Sequence, residues 1–112
     1  MSLRVQYAPW FDADLHLRTA WHAEQGGEEL AERFVDAVES TVRKLAENPH
    51  IGWRPYPRDS DLVEIHSVLV ERPFRKHLLY YRFTDEELLV ERLIHGARDL
   101  PRRLRESPRE GG

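Results

Sequence analysis

The chain contains no cysteine, and that absence removes several chemistries at once. Disulfide scaffolds, thiol nucleophiles and cysteine-ligated zinc are excluded. No apolar run is long enough to span a bilayer, and no basic-then-apolar start reads as a secretory signal. A cytoplasmic chain without membrane contact is the expectation. Lysine is scarce: among 17 basic residues only Lys44 and Lys76 are lysines, which narrows any lysine-based catalysis. A strong basic excess is missing too, since the net charge is −3. Residues 1–61 carry 7 Lys/Arg against 11 Asp/Glu, and residues 62–112 carry 10 against 9. A protein that lives on phosphate contacts is usually more basic. Nucleic acid as the sole partner is therefore disfavoured, while a local basic patch stays open.

What is present fits one domain over residues 1–112, with a compact core because a third of the residues are charged. Leu3–Ala8 alternates apolar and polar side chains and reads as a short strand. Pro9 follows, and Trp10, Ala13, Leu17, Ala20 and Trp21 then recur at helical spacing, which puts both tryptophans on the expected core stripe. Gly26-Gly27 breaks this helix, and a second runs over about Glu28–Glu47 with the stripe Leu30, Phe34, Ala37/Val38, Thr41, Leu45. Asn48-Pro49 stops it, and His50–Asp61 is too rich in Pro and Gly for regular structure.

Three strands are expected next, at Leu62–Val70, Arg75–Phe83 and Glu87–His95, joined by turns at Arg72-Pro73-Phe74 and Thr84-Asp85-Glu86. Apolar residues fall at both parities in each strand, so both faces of the sheet should be covered. Pro101 favours a short terminal helix through Arg105, which Asp99 could cap. The expected class is α+β: β-α-α-β-β-β, a helical hairpin packed on a mainly antiparallel four-stranded sheet, with the first strand at an edge.

Ala13-Asp14-Leu15, Gly26, Ala31, Phe34, Val38, Leu45-Ala46, Pro49 and Gly52 follow one another in this order, and Leu79-Tyr80-Tyr81-Arg82 and His95-Gly96-Ala97-Arg98-Asp99-Leu100 complete the series. Together they resemble the RelE/ParE toxin superfamily from about Leu3 to Leu104, with an ending similar to the ParE branch. The resemblance implies the toxin of a type II toxin–antitoxin, plasmid stabilisation-like module, held in a hetero-oligomer with a cognate antitoxin. It implies that ParE-like members poison DNA gyrase by binding it and that RelE-like members cut mRNA on the ribosome. Fold alone does not choose between them.

Metal-independent RNA cleavage needs a base, an acid and cations for the phosphorane. The second strand offers Glu64 and His66 but no lysine, so the RelE pattern is poorly met. A YoeB-like set of Glu64, Arg75 or Arg82, and His95 is the enzymatic alternative. The preferred reading has no catalytic residue. It assigns target or antitoxin recognition to the basic run Arg72, Arg75, Lys76 and His77, to the sheet end and tail with His95, Arg98, Arg102 and Arg103, and to the loop aromatic Trp53. A degenerate member that binds antitoxin without toxicity is a third possibility. No cofactor is expected, and no metal site, because His16 and His22 lie six residues apart on different helix faces.

Overall fold

The computed structural model describes residues 2–96 and 100–109. Strand β1 (Arg4–Tyr7) leads into helix α1 (Pro9–Glu47), whose proline sits in the first turn, where an absent N–H costs nothing. Inside α1 the helical geometry fails at Gly26 (φ −142°, ψ 15°) and Gly27 (φ 79°, ψ −176°). The positive φ at Gly27 is open to glycine and strained for residues with a Cβ. The chain reverses here. The rings of His22 and Phe34 lie 4.4 Å apart, whereas twelve residues of unbroken helix would part them by about 18 Å. The element is thus a helical hairpin with limbs over residues 9–25 and 28–47.

A 3₁₀ turn (Pro49–Ile51) follows, then β2 (His66–Leu69), β3 (His77–Phe83), β4 (Glu87–His95) and a short helix α2 (Leu100–Leu104). The sheet order is β1-β4-β3-β2. β1 runs parallel to β4 along one edge, with Arg4 opposite Glu87 and Tyr7 opposite Val90, and the other pairings are antiparallel. The turn 84–86 falls where the sequence puts it: Thr84 Oγ1 accepts from the amides of Glu86 and Glu87.

Both faces of the sheet are covered. Leu79, Tyr81, Leu88, Val90 and Leu93 pack against Phe11, Phe34, Val38, Val42 and Leu45 of α1. Tyr80 and Ile94 meet a smaller cluster of Leu62, Ile65 and Leu104 on the opposite face. The loop before β2 and the C-terminal helix therefore form the second cover.

Three expectations need correction. The second strand starts at His66, not Leu62. The amide of Leu62 bonds to the Asp59 carbonyl and that of Ile65 to the Leu62 carbonyl, so residues 59–65 coil, and Leu62 and Ile65 both point into the smaller cluster. Glu64 is consequently exposed on a turn. The connection between β2 and β3 is also longer than Arg72-Pro73-Phe74, since β2 ends at Leu69 and β3 starts at His77. Finally, Trp10 and Trp21 are 41% and 40% exposed rather than core. The buried line on the first limb is Phe11, Asp14 and His22, rotated by about one residue, or 100°, from the tryptophan line.

The loop after α1 is pinned by a close approach. The Gly52 amide donates to the Tyr81 hydroxyl, which itself donates to the Pro49 carbonyl. Trp53 then makes a single antiparallel bridge to Ser67, extending the sheet beyond β2. A Cβ on Gly52 would come within 2.6 Å of the Ser67 carbonyl oxygen and still closer to the Tyr81 hydroxyl. Gly52→Ala should therefore destabilise the fold by about 1–3 kcal/mol, the range of core overpacking, in a urea titration monitored by circular dichroism.

Candidate functional site: a cationic cavity at the end of the sheet

β1 accompanies β4 only as far as Val90, which leaves the next inward-facing edge amide, that of Leu93, without a strand partner. Asp14 supplies the acceptor: its Oδ2 takes the Leu93 N–H at 3.0 Å. The same carboxylate receives Arg92 in a two-point contact, Nε at 2.8 Å and Nη2 at 3.1 Å. Arg92 Nη1 donates to the carbonyls of Arg103, Leu104 and Glu106. These carbonyls lie at and just beyond the C-terminus of α2, where a cation is favourable. Trp10 closes over the guanidinium at 5.1 Å from the ring centroid. One buried ion pair thus ties the first helix limb, the strand edge and the C-terminal helix together.

Beside this pair three imidazoles line up. His77 faces His95 across β3 and β4. The ring centroids of His77 and His95 are 4.9 Å apart, and those of His22 and His77 are 5.3 Å apart. His77 is only 4% exposed; its Nδ1 bonds to the Phe74 carbonyl and its Nε2 has no partner among the described residues. Burial, reinforced by the neighbouring charges of His95, Arg18 and His22, lowers the His77 pKa to about 4. Burial and then Arg18 also lower His22, and burial followed by Arg18, Lys76 and Arg103 lowers His95. These rings stay neutral near pH 7. Among the described residues no group of three His, Cys, Asp or Glu is placed to hold a metal ion.

Outside the histidines lies a cavity of about 200 Å³. Its walls come from the first helix limb (Leu17, Arg18, Trp21), the end of β4 (Leu93 to His95) and the C-terminal segment (Arg103, Arg109). Arg103 Nη1 donates to the His95 carbonyl at 2.9 Å. Arg18 lies over the Trp21 ring, 4.6 Å from its centroid. Burial and the nearby Arg103 lower the Arg18 pKa, while burial and Arg109 lower that of Arg103. Like charges have been gathered here.

The structure brings some of the sequence-predicted residues together and separates others. The Gly96 amide donates to the Lys76 carbonyl, so the basic turn before β3 adjoins the sheet end at His95. Gly96 itself takes a φ of 93°. Arg72, Arg75 and Lys76 are exposed on that turn. His77, grouped with them by sequence, is instead in the core because its position on β3 points at Phe34 and Phe74. Arg102 is exposed and pairs with Glu106 at 2.9 Å. Arg98, and Asp99 as a possible cap, lie outside the described residues. Trp53 is 49% exposed but belongs to the far edge of the sheet, three strand spacings or about 14 Å from β4.

Of the nuclease alternative, Arg75 is on the turn that adjoins His95, whereas Arg82 and Glu64 lie away from it. Arg82 is engaged by Glu91 at 2.8 Å and by the Asp61 carbonyl. It sits five positions along β3 from His77, the partner of His95, or about 17 Å. Glu64, just before β2, lies toward that same distant end, since His66 pairs with Tyr81. Sequence reasoning gives no role to Arg18, Arg92 or Arg109; it names Asp14 only within the family resemblance and His22 only as a rejected metal ligand. One signal was available: Arg92 is a charge inside the aliphatic run Leu88–Ile94.

A hairpin of helices on one face of an open four-stranded mixed sheet, with a C-terminal helix latched on the other, is an α+β arrangement with known counterparts. A solved structure described as the chromosomal ParDE TA system from P. aeruginosa superposes with a TM-score of 0.69, at 16% identity, over 86% of this chain and 98% of that one. At that identity the likeness establishes the fold. The family model for the ParE toxin of the type II toxin–antitoxin system parDE matches residues 5–100. The chain belongs to the ParE toxin family. No curated protein matched it.

Proposed function

We propose that the protein inhibits DNA gyrase by binding it and is silenced by a cognate antitoxin, with the recognition surface formed by the sheet end and the basic turn. The observation that carries this reading is the separation, among the described residues, of Glu64 from His95, the acid and base of the nuclease alternative. Glu64 and Arg82 lie near one end of the sheet and His95 at the other, where the cations Lys76 and Arg103 flank its neutral ring. A surface of that kind recognises an acidic protein face without needing a reacting atom at its centre. Arg72, Arg75 and Arg102 extend it, and Trp53 on the other edge offers a separate aromatic anchor for the antitoxin.

Purified toxin should abolish supercoiling by gyrase, leave ribosome-bound mRNA intact and lose its effect when the antitoxin is added. Combined Arg75→Ala and Lys76→Ala substitutions should weaken inhibition by about tenfold, mostly through slower association at low salt. Codon-specific mRNA cuts that vanish in His95→Gln would overturn the gyrase reading in favour of an endoribonuclease. Antitoxin binding with no effect in either assay would identify a non-toxic member.

A further inference from the structure

We infer that the cavity between the first helix limb and the C-terminal segment binds the phosphate of a mononucleotide, a role additional to recognition of a protein target, with His95 and Arg103 at the border of both. Three guanidinium groups reach it from separate parts of the chain: Arg18 from α1, Arg103 from α2 and Arg109 from the tail. The acids in the same wall do not neutralise all of them. Among the described residues, Asp14 is committed to Arg92 and Glu106 to Arg102, which leaves Glu24 beside three arginines. Assembling like charges in a partly desolvated recess raises the energy of the empty site, and an anion relieves it.

Shape narrows the anion. A carboxylate is planar, carries one charge and is satisfied by a single arginine fork. A phosphate dianion presents oxygens in several directions and suits donors converging from three sides. The volume of about 200 Å³ accommodates a phosphate with part of its ester and is below the range of pockets that enclose whole drug-sized ligands. The rest of the ligand must therefore lie at the mouth. Trp21 lines the cavity and is 40% exposed, and with the Arg18 guanidinium over its ring the pair offers flat indole and guanidinium surface of the kind on which a nucleobase stacks. His95, kept neutral, can donate or accept a single hydrogen bond without adding a fourth charge.

The test is a titration of ¹⁵N-labelled protein with inorganic phosphate, AMP, ATP and acetate at low ionic strength, following the Trp21 indole N–H, the His95 ring and the arginine Nε–H signals. Saturable millimolar binding of phosphate is expected, with AMP tighter than phosphate because of stacking, and acetate not saturating. Arg18→Gln and Arg109→Gln should each weaken phosphate binding by about tenfold while the protein stays folded. Trp21→Leu should remove the advantage of AMP and leave phosphate unchanged. A rise in melting temperature with phosphate that disappears in Arg18→Gln supplies a second readout. Acetate binding as well as phosphate would overturn the assignment in favour of a carboxylate-reading site. Shifts that spread over all surface arginines without saturation would reduce it to non-specific charge screening. Gyrase inhibition need not change in any of these variants, so failure here leaves the target reading intact.

Discussion

Asp14→Ala should destabilise the protein by about 3–5 kcal/mol, the cost of leaving one member of a buried ion pair without its partner. A domain of this size has about 5–15 kcal/mol in total, so the variant should be near the edge of folding at 37 °C. Three losses coincide. Arg92 keeps a buried charge with no counter-ion, the Leu93 amide loses its acceptor, and the carbonyls of Arg103, Leu104 and Glu106 lose a well-aimed donor as the guanidinium relaxes. Arg92→Lys should fail almost as badly, because one ammonium cannot serve the carboxylate at two points and the helix end as well. The double change Asp14→Leu with Arg92→Met removes both charges and should recover only part of the loss, since the Leu93 amide and the helix carbonyls remain unsatisfied. Urea titrations at pH 7 measure all four proteins. Full recovery in the double variant would mean the pair matters only to itself; a loss under 1 kcal/mol in Asp14→Ala would mean that water fills the site.

Acidification should be the next largest effect, and its sign follows from His77. Above pH 6.5 the ring is neutral whether the chain is folded or not, and it contributes no pH dependence. Between pH 6.5 and about 4 the unfolded chain takes up a proton that the folded one refuses, so the unfolded state binds more protons and stability falls as the pH drops. The full difference is on the order of 3 kcal/mol, complete once the pH is below the folded value of about 4. His22 and His95 shift in the same direction and steepen the fall. His77→Phe keeps a ring in the cluster with Phe34 and Phe74 and gives up one hydrogen bond. It should be slightly less stable at pH 7 yet visibly flatter in a plot of unfolding free energy against pH. An unchanged slope in that variant would assign the acid sensitivity to the other histidines or to carboxylates.

Much of this architecture is written in local pattern. Gly26-Gly27 and Asn48-Pro49 mark both ends of the second helix limb, and the aliphatic runs around Leu79 and Leu88 announce strands buried on two faces. The errors have a common cause in polar residues that sit inside. On the first limb the core stripe contains Asp14 and His22, so the more apolar neighbouring line of Trp10, Leu17 and Trp21 mimics a core stripe while serving the cavity wall and the cover of Arg92. Before β2, Leu62 and Ile65 are three residues apart, the spacing of a turn, although their aliphatic character suggests a strand. The partnership of Asp14 with Arg92 spans 78 positions. Nothing in either local sequence names the other, and only tertiary packing makes a helix-start carboxylate into the cap of a strand edge. The histidine line is similar: His22, His77 and His95 come from three elements, and burial, not spacing, gives them a shared character.

The parallel pairing of β1 with β4 sets a limit on when this protein can exist at all. Arg4 waits for Glu87, and Asp14 for Arg92, so the first strand and the first helix limb find their partners only when nearly the whole chain has left the ribosome. Long-range closure of this kind is slow and cooperative. A nascent or prematurely terminated chain ending before β4 exposes the apolar face of the hairpin and carries neither the sheet end nor the latch for α2. Synthesis thereby delivers the sheet end and the carboxylate–guanidinium latch only after the helical hairpin that they close.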